Sequence, residues 1–428
     1  MKMVKYMKYF SLIMIIAAVI FSGCSDRGTN IPASTQVDPW GLTDKNFVFA
    51  PPDNVESPQL IFQIQNPFGL LQTAIYVPKS AYPPPDGVSQ PVPLLILLAP
   101  QDGDEFFYFE HGLMELADEM IATGEIEPMT ICCISNDHVF GGYFYGNSFP
   151  AGFYDEVIGS LDDYRLLDRL YNDLQFPASM QTADKRGIGG IGQGAYGAFR
   201  ACIKHPGVFS SLSVADGPLD FDGSDGNSGL INLMDDALLE QGLLSGNIKQ
   251  FDTSSAWPIS RMFIGGALAF SPHDTAIDYT LTFTSYGYSV TFLGRDTIAD
   301  EATLVDSIIK DDNFNFDFHL PFDNTGAKYD QIWNLWMQNN LEDMYEAAGG
   351  TPLANLNMWV ATSPEASNGY HDMTTSWIDY LQTAGYTPDV YTYKGYSGKP
   401  ALKNEYVYDL LRKMLIFHDN NFKNTTGK

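Results

Sequence analysis

Arg186-Gly187-Ile188-Gly189-Gly190-Ile191-Gly192-Gln193-Gly194-Ala195-Tyr196-Gly197-Ala198-Phe199-Arg200 is the stretch on which the reading of this chain turns. Arg186 to Gly190 predicts a short strand. A glycine-rich turn comes next, and Gly194 to Lys204 predicts a helix. Glycines clustered where a strand passes into a helix let the two backbones cross closely, because no Cβ stands between them.

Working outward, apolar runs alternate with helical patterns. Pro93 to Leu98 is short and wholly apolar, as in a strand buried on both faces. Glu110 to Ala122 has helical periodicity, and Met129 to Ser135 is a second apolar strand. Phe153 to Asn172 predicts one long amphipathic helix. Beyond the glycine turn come a strand at Val208 to Ala215, a strand at Leu356 to Ala361 and a helix through Ser376 to Ala384. A strand at Val390 to Tyr393 and a final helix from Glu405 to Phe422 close the series. This alternation predicts an α/β fold, a mostly parallel central sheet with helices on both faces. Leu219 to Asn355 is irregular, with one helix expected at Tyr329 to Tyr345. So long a stretch is not a bare loop in a compact domain. It is read as an insertion, or cap, over the C-terminal edge of the sheet, at about 219–355.

The glycine turn resembles the nucleophile elbow of the esterase D and enterochelin-esterase-like family of α/β-hydrolases. In that family the turn reads Gly-x-Ser-x-Gly, on a strained strand-to-helix corner. Gly190 and Gly194 match the flanking glycines. Tyr196-Gly197-Ala198 and His205-Pro206 match the family's residues downstream of the turn. Asn147-Ser148, Gly152, Ala267, Phe270-Ser271-Pro272 and the spaced pair Trp333 and Trp336 resemble further stretches of the family. The resemblance runs from about Ile75 to Phe422 and implies an α/β-hydrolase fold with the insertion after the strand next to the elbow in sequence.

The chemistry departs from the family pattern at three places. Gly192 stands where the family has its serine and carries no nucleophile. The family's oxyanion loop, His-Gly-Gly-Gly-like, corresponds to Ala99-Pro100-Gln101-Asp102-Gly103-Asp104. There Pro100 has no N–H to donate, and Asp102 brings negative charge towards a developing oxyanion. No histidine lies in Tyr393 to Gly398, where the resemblance places the base. The acid position falls near Glu365, and an acid without its histidine orients nothing. His371 is the candidate for a relocated base. Asp102, Gly103, Gln193 and Tyr196 are the candidate ligand-cleft residues.

The other histidines are read as structural or solvated: His111 and His205 beside helices, His138, His273 and His319 in loops, His418 on the surface of the last helix. Asp220, Asp222 and Asp225 sit among turn glycines and suit a hard cation such as calcium, or a solvated acidic loop. The aromatic residues of the insertion suit either a carbohydrate or aryl-ester pocket or packing of the cap, and packing is preferred for the two tryptophans.

Lys2, Lys5 and Lys8 precede an apolar run from Phe10 to Phe21, ending in Phe21-Ser22-Gly23-Cys24. This resembles a bacterial lipoprotein signal, with Cys24 as the lipidated residue. The expectation is a signal peptide over 1–23, a tether over 24–58 rich in Pro, Asp, Ser, Thr and Asn, and a domain over 59–424. The chain is then held in the bacterial cell envelope by the lipid on Cys24. Cys132 and Cys133 are adjacent on a strand and point to opposite faces. They and Cys202 are read as buried free thiols, although the compartment permits a disulfide. The net charge of −28 excludes nucleic acid as a partner. No cofactor is implied. Three readings remain open: a pseudoenzyme binding a small ligand or a protein at the former cleft, an active carboxylic-ester hydrolase with displaced residues, and an envelope assembly protein using the fold as scaffold.

Overall fold

The computed structural model describes residues 59–66, 69–81, 92–136, 142–148, 152–159, 161, 166–173, 180–223, 229–240, 258–272, 279–284, 287–292, 304–310, 315–323, 326–366, 368–394 and 404–424. Cys24 with the signal and tether, His138, Asp225 and His273 lie outside them.

The strands are β1 (Gln59–Asn66), β2 (Gly69–Tyr76), β3 (Leu94–Leu98), β4 (Thr130–Ile134), β5 (Asn147–Ser148), β6 (Gly152–Phe153), β7 (Arg186–Ile191), β8 (Ser211–Ala215), β9 (Tyr279–Thr284), β10 (Gly287–Phe292), β11 (Leu304–Lys310), β12 (Asn315–Asp323), β13 (Asn357–Thr362) and β14 (Asp389–Thr392). Eight of them form one sheet in the order β1-β2-β4-β3-β7-β8-β13-β14. β2 runs antiparallel to both its neighbours, and every later pairing from β4 to β14 is parallel. The helices used below are α1 (Leu113–Ala122), α2 (Gln193–Lys204), α3 (Pro258–Phe270), α4 (Asp330–Met337), α5 (Leu341–Ala347), α6 (Tyr370–Thr383) and α7 (Asn404–Asn424).

The sheet separates two apolar layers. One holds Ile96, Cys132, Ile188, Leu212 and Val360 against α2, α3, α4 and α6. The other holds Leu97, Cys133, Ile191 and Ala361 against α1 and α7. β3, wholly apolar, and β4, apolar after Thr130, are buried at every residue, as a sheet covered on both faces requires. Cys132 and Cys133 face opposite layers, and both are free and buried, as is Cys202.

Four expectations are corrected. His418 is fully buried, not on the surface: its Nδ1 lies 2.8 Å from Ser211 Oγ and its Nε2 2.7 Å from Ser213 Oγ. β7 admits it because Gly187 is bare there; a Cβ would fall 2.4 Å from His418 Nδ1. His319 lies in β12, buried, rather than in a loop. The helix expected at Phe153–Asn172 is two, Tyr154–Gly159 and Leu166–Asp173. The helix expected at Tyr329–Tyr345 is also two, because Asn340 leaves helical angles (φ −66, ψ 138) and opens α5. The insertion also carries two antiparallel strand pairs, β9–β10 and β11–β12, which the sequence reading missed although β9, β10 and β12 alternate apolar and polar residues.

Candidate functional site

β7 ends at Ile191, α2 begins at Gln193, and Gly192 alone makes the corner, at φ +61 and ψ −124. Its N–H is held by the carbonyls of Ala215 (3.0 Å) and Asp216 (2.7 Å) at the end of β8. The flanking glycines have steric work. A Cβ at Gly194 would lie 2.1 Å from the Leu98 carbonyl oxygen, and one at Gly190 would lie 2.4 Å from the Gly194 backbone. At Gly192 the nearest atom to such a Cβ is Pro100 Cβ at 3.4 Å, so space for a side chain exists there. The corner therefore crosses closely at Gly190 and Gly194 and leaves room for a side chain at Gly192.

The loop after β3 turns tightly opposite this corner. Gly103 N–H donates to the Pro100 carbonyl (3.0 Å), which occupies that donor, and Asp102 adopts a left-handed φ of +61. The Asp102 carboxylate, read from the sequence as negative charge brought towards an oxyanion, is paired with Arg261 of α3 at 2.8 Å. The same loop is tied to the start of α3 by Gln101 Nε2 donating to the Pro258 carbonyl (2.8 Å). Gln193 is fully buried; its Oε1 accepts from Asn136 Nδ2 (3.0 Å) and the Phe144 N–H (3.4 Å). Its side chain thus braces the loop rather than lining an open cleft.

Tyr196 is also a packing residue, not a cleft residue. It is fully buried, stacks on Phe221 (5.4 Å, 19°) and donates its hydroxyl to the Asn339 carbonyl (2.5 Å). Trp333 and Trp336 stack on each other inside the same layer, with Trp336 against Phe263 of α3. Asp220 caps its own loop, accepting from Asp222 N (3.2 Å), Gly223 N (3.0 Å) and Ser376 Oγ (2.7 Å). Asp222 is exposed, and among the described residues no group of three or more His, Cys, Asp or Glu side chains is placed to hold a metal.

Glu365 is exposed after β13, with its N–H on Ser363 Oγ (3.2 Å). The structure links His371 to a different acid, Asp216, through the hydroxyl of Thr362. His371, in the first turn of α6, places Nδ1 2.9 Å from Thr362 Oγ1, and Thr362 Oγ1 is 2.7 Å from Asp216 Oδ1. Asp216 is fully buried at a left-handed φ of +31, and it also accepts from the Ser363 N–H (3.0 Å) and the Tyr393 hydroxyl (2.5 Å). Sequence reasoning missed Asp216, Thr362 and Tyr393. They lie on three strand ends that only the order β8-β13-β14 brings together, and no local motif marks them.

No protein-family model matches the sequence, and no curated relative does. Among solved structures the chain is similar to a ferulic acid esterase, with a TM-score of 0.51 at 14% identity, over 86% of this chain and 100% of that one. It is also similar to FphF, a fluorophosphonate-binding serine hydrolase of Staphylococcus aureus (TM-score 0.49, 13% identity, 85% and 99% covered), and to an S-formylglutathione hydrolase of the same organism (0.46, 11%, 86% and 99%). Identities this low speak to architecture alone. Sheet order, the corner at Gly192 and the first of these likenesses agree that the chain has the α/β-hydrolase fold.

Proposed function

We propose that this is a lipid-anchored, non-hydrolytic α/β-hydrolase-fold protein that binds a ligand or partner at the sheet edge around Gly192. The observation that carries the reading is the corner itself: the elbow keeps its backbone geometry and has no nucleophile. Two features support it. Pro100 faces the empty position, and the Gly103 N–H is spent within its own turn, so the loop is poorly equipped to receive an oxyanion. In addition, Asp102, Phe144, Tyr145 and Asp216 all hold positive φ around the corner. Such backbones cost on the order of 1–3 kcal/mol each and are characteristic of ligand clamps and active sites. A strained edge without its serine fits binding better than catalysis.

The second reading, an ester hydrolase with displaced residues, is favoured by the Asp216–Thr362–His371 chain. The other Ser–His contacts, Ser211 and Ser213 with His418, do not serve it, since all three residues are sealed between β7, β8 and α7.

The test is ester turnover. The purified protein is expected to show no hydrolysis of p-nitrophenyl acetate above the uncatalysed rate. Gly192→Ser is expected not to rescue it, because Pro100 has no N–H and the Gly103 N–H is spent within its own turn, which leaves an oxyanion without donors from that loop. Saturable turnover by the wild-type protein overturns the reading. Labelling of Gly192→Ser by a fluorophosphonate probe instead favours the second reading, with His371 as its base.

A further inference from the structure

Asp216 and the distant pair Thr362 and His371 form an unbroken chain of hydrogen bonds at the edge of the sheet. Thr362 has one hydroxyl proton and sits between Asp216 Oδ1 (2.7 Å) and His371 Nδ1 (2.9 Å). Asp216 is the convergence point of donors: the Ser363 N–H reaches the same Oδ1 at 3.0 Å, and the Tyr393 hydroxyl reaches Oδ2 at 2.5 Å. A carboxylate so placed has only acceptors to offer. Thr362 therefore gives its proton to Asp216 and turns a lone pair towards His371. His371 must then donate from Nδ1, which leaves the lone pair on Nε2.

That lone pair has no partner among the described residues. His371 is half-buried, its side-chain hydrogen bond there is to Thr362, and its Nε2 is not enclosed. The relay is fixed to the elbow, because the Asp216 carbonyl holds the Gly192 N–H at 2.7 Å. Gly192 and Thr362 lie on strands separated by β8, so roughly 9–10 Å of edge lies between their backbones. Gly192 contributes no donor across that gap.

We propose that His371 is a ligand-contacting residue of this edge, with Thr362 and Asp216 as positioning residues that fix its tautomer, and that the ligand docks a neutral hydroxyl, alcoholic or phenolic, on Nε2. The donor comes from the ligand because the elbow lacks one. A hydroxyl rather than an anionic group follows from charge: the chain carries −28, and the exposed acid Glu365 flanks the edge on the loop after β13. This rests on the binding reading above and deepens it.

The experiment uses the full-length protein labelled with ¹⁵N-histidine, with phenol as the probe. Long-range ¹H–¹⁵N spectra, assigned with His371→Ala, are expected to show His371 protonated at Nδ1 and bare at Nε2. Phenol is expected to shift Nε2 saturably. Thr362→Val is expected to mix the tautomers and weaken phenol by about tenfold, the worth of one oriented hydrogen bond, and Thr362→Ser to restore both. An Nε2–H tautomer in the wild-type protein overturns the proposal. So does phenol binding of equal strength to His371→Ala. Both readouts are independent of ester turnover, so hydrolysis by the wild type would overturn the non-hydrolytic reading and leave this assignment standing. If Thr362→Val does not fold, the wild-type tautomer and the His371→Ala titration still decide.

Discussion

A Cβ at Gly192 would find space and a Cβ at Gly194 would find the Leu98 carbonyl, so the two glycines of one turn are required for different reasons. Gly192→Ala meets only backbone strain at φ +61, expected to cost about 1–2 kcal/mol. Gly194→Ala drives a methyl to 2.1 Å from a backbone oxygen and forces β3 and α2 apart. Its expected cost is about 3 kcal/mol or more. Urea unfolding of the two variants checks the order; equal losses would mean that the close crossing of strand and helix is not there. His418 gives a second expectation. Burial lowers its pKa from 6.5 to about 3, so the folded protein refuses a proton that the unfolded chain accepts between those values. The unfolded state binds more protons in that window, and stability is lost as pH falls from about 6.5 towards about 3. At pH 4 the loss is on the order of 3 kcal/mol relative to pH 7. His418→Gln is expected to be less stable at pH 7, through disturbed contacts to Ser211 and Ser213, yet to show a smaller drop between pH 7 and pH 4 in urea midpoints.

Between elements, the contact that matters for the site joins α3 of the insertion to the loop after β3. Asp102 and Arg261 are partly exposed, at 15% and 26% of their side chains, and Asp102 sits on a strained turn. Such a pair lies between the surface and buried regimes. Arg261→Ala is therefore expected to cost about 1–2 kcal/mol, and the cycle with Asp102→Asn to show coupling of about 1 kcal/mol. Additive single losses in thermal unfolding would show that α3 and the loop are not latched by charge. At this scale the sequence was readable where one covering rule governed. Leu94 to Leu98 and Thr130 to Ile134 are apolar at nearly every position because helices cover both faces. It was unreadable where pattern and burial part company. The period-two alternation of β9, β10 and β12 is clean and was passed over among the insertion's glycines and acids, whereas α7 carries a histidine inward because Gly187 and two serines of β8 make room for it. The elbow was legible from six glycines within Arg186 to Arg200; the relay beside it was not, since Asp216, Thr362 and His371 meet only once the strands are ordered.

For the whole molecule, no described helix is long and apolar enough to cross a membrane. The proposed attachment therefore rests on Cys24. Cys24→Ala is expected to move the protein from the detergent phase to the aqueous phase in a phase-partition assay; unchanged partitioning would remove the lipid from the account.

Adjacent Cys132 and Cys133 give the sheet one thiol in each of its two layers, both silenced by burial, which pushes their pKa up. A thiol reagent can reach either only when its own layer opens. In a Cys202→Ala background, native-state labelling of the two positions becomes a pair of clocks set one residue apart. Equal rates would mean that the insertion side and the α1–α7 side come off the sheet as a single cooperative unit. A faster Cys132 would mean that the face carrying the elbow helix and the insertion breathes on its own, which is the motion a ligand at that edge would have to damp.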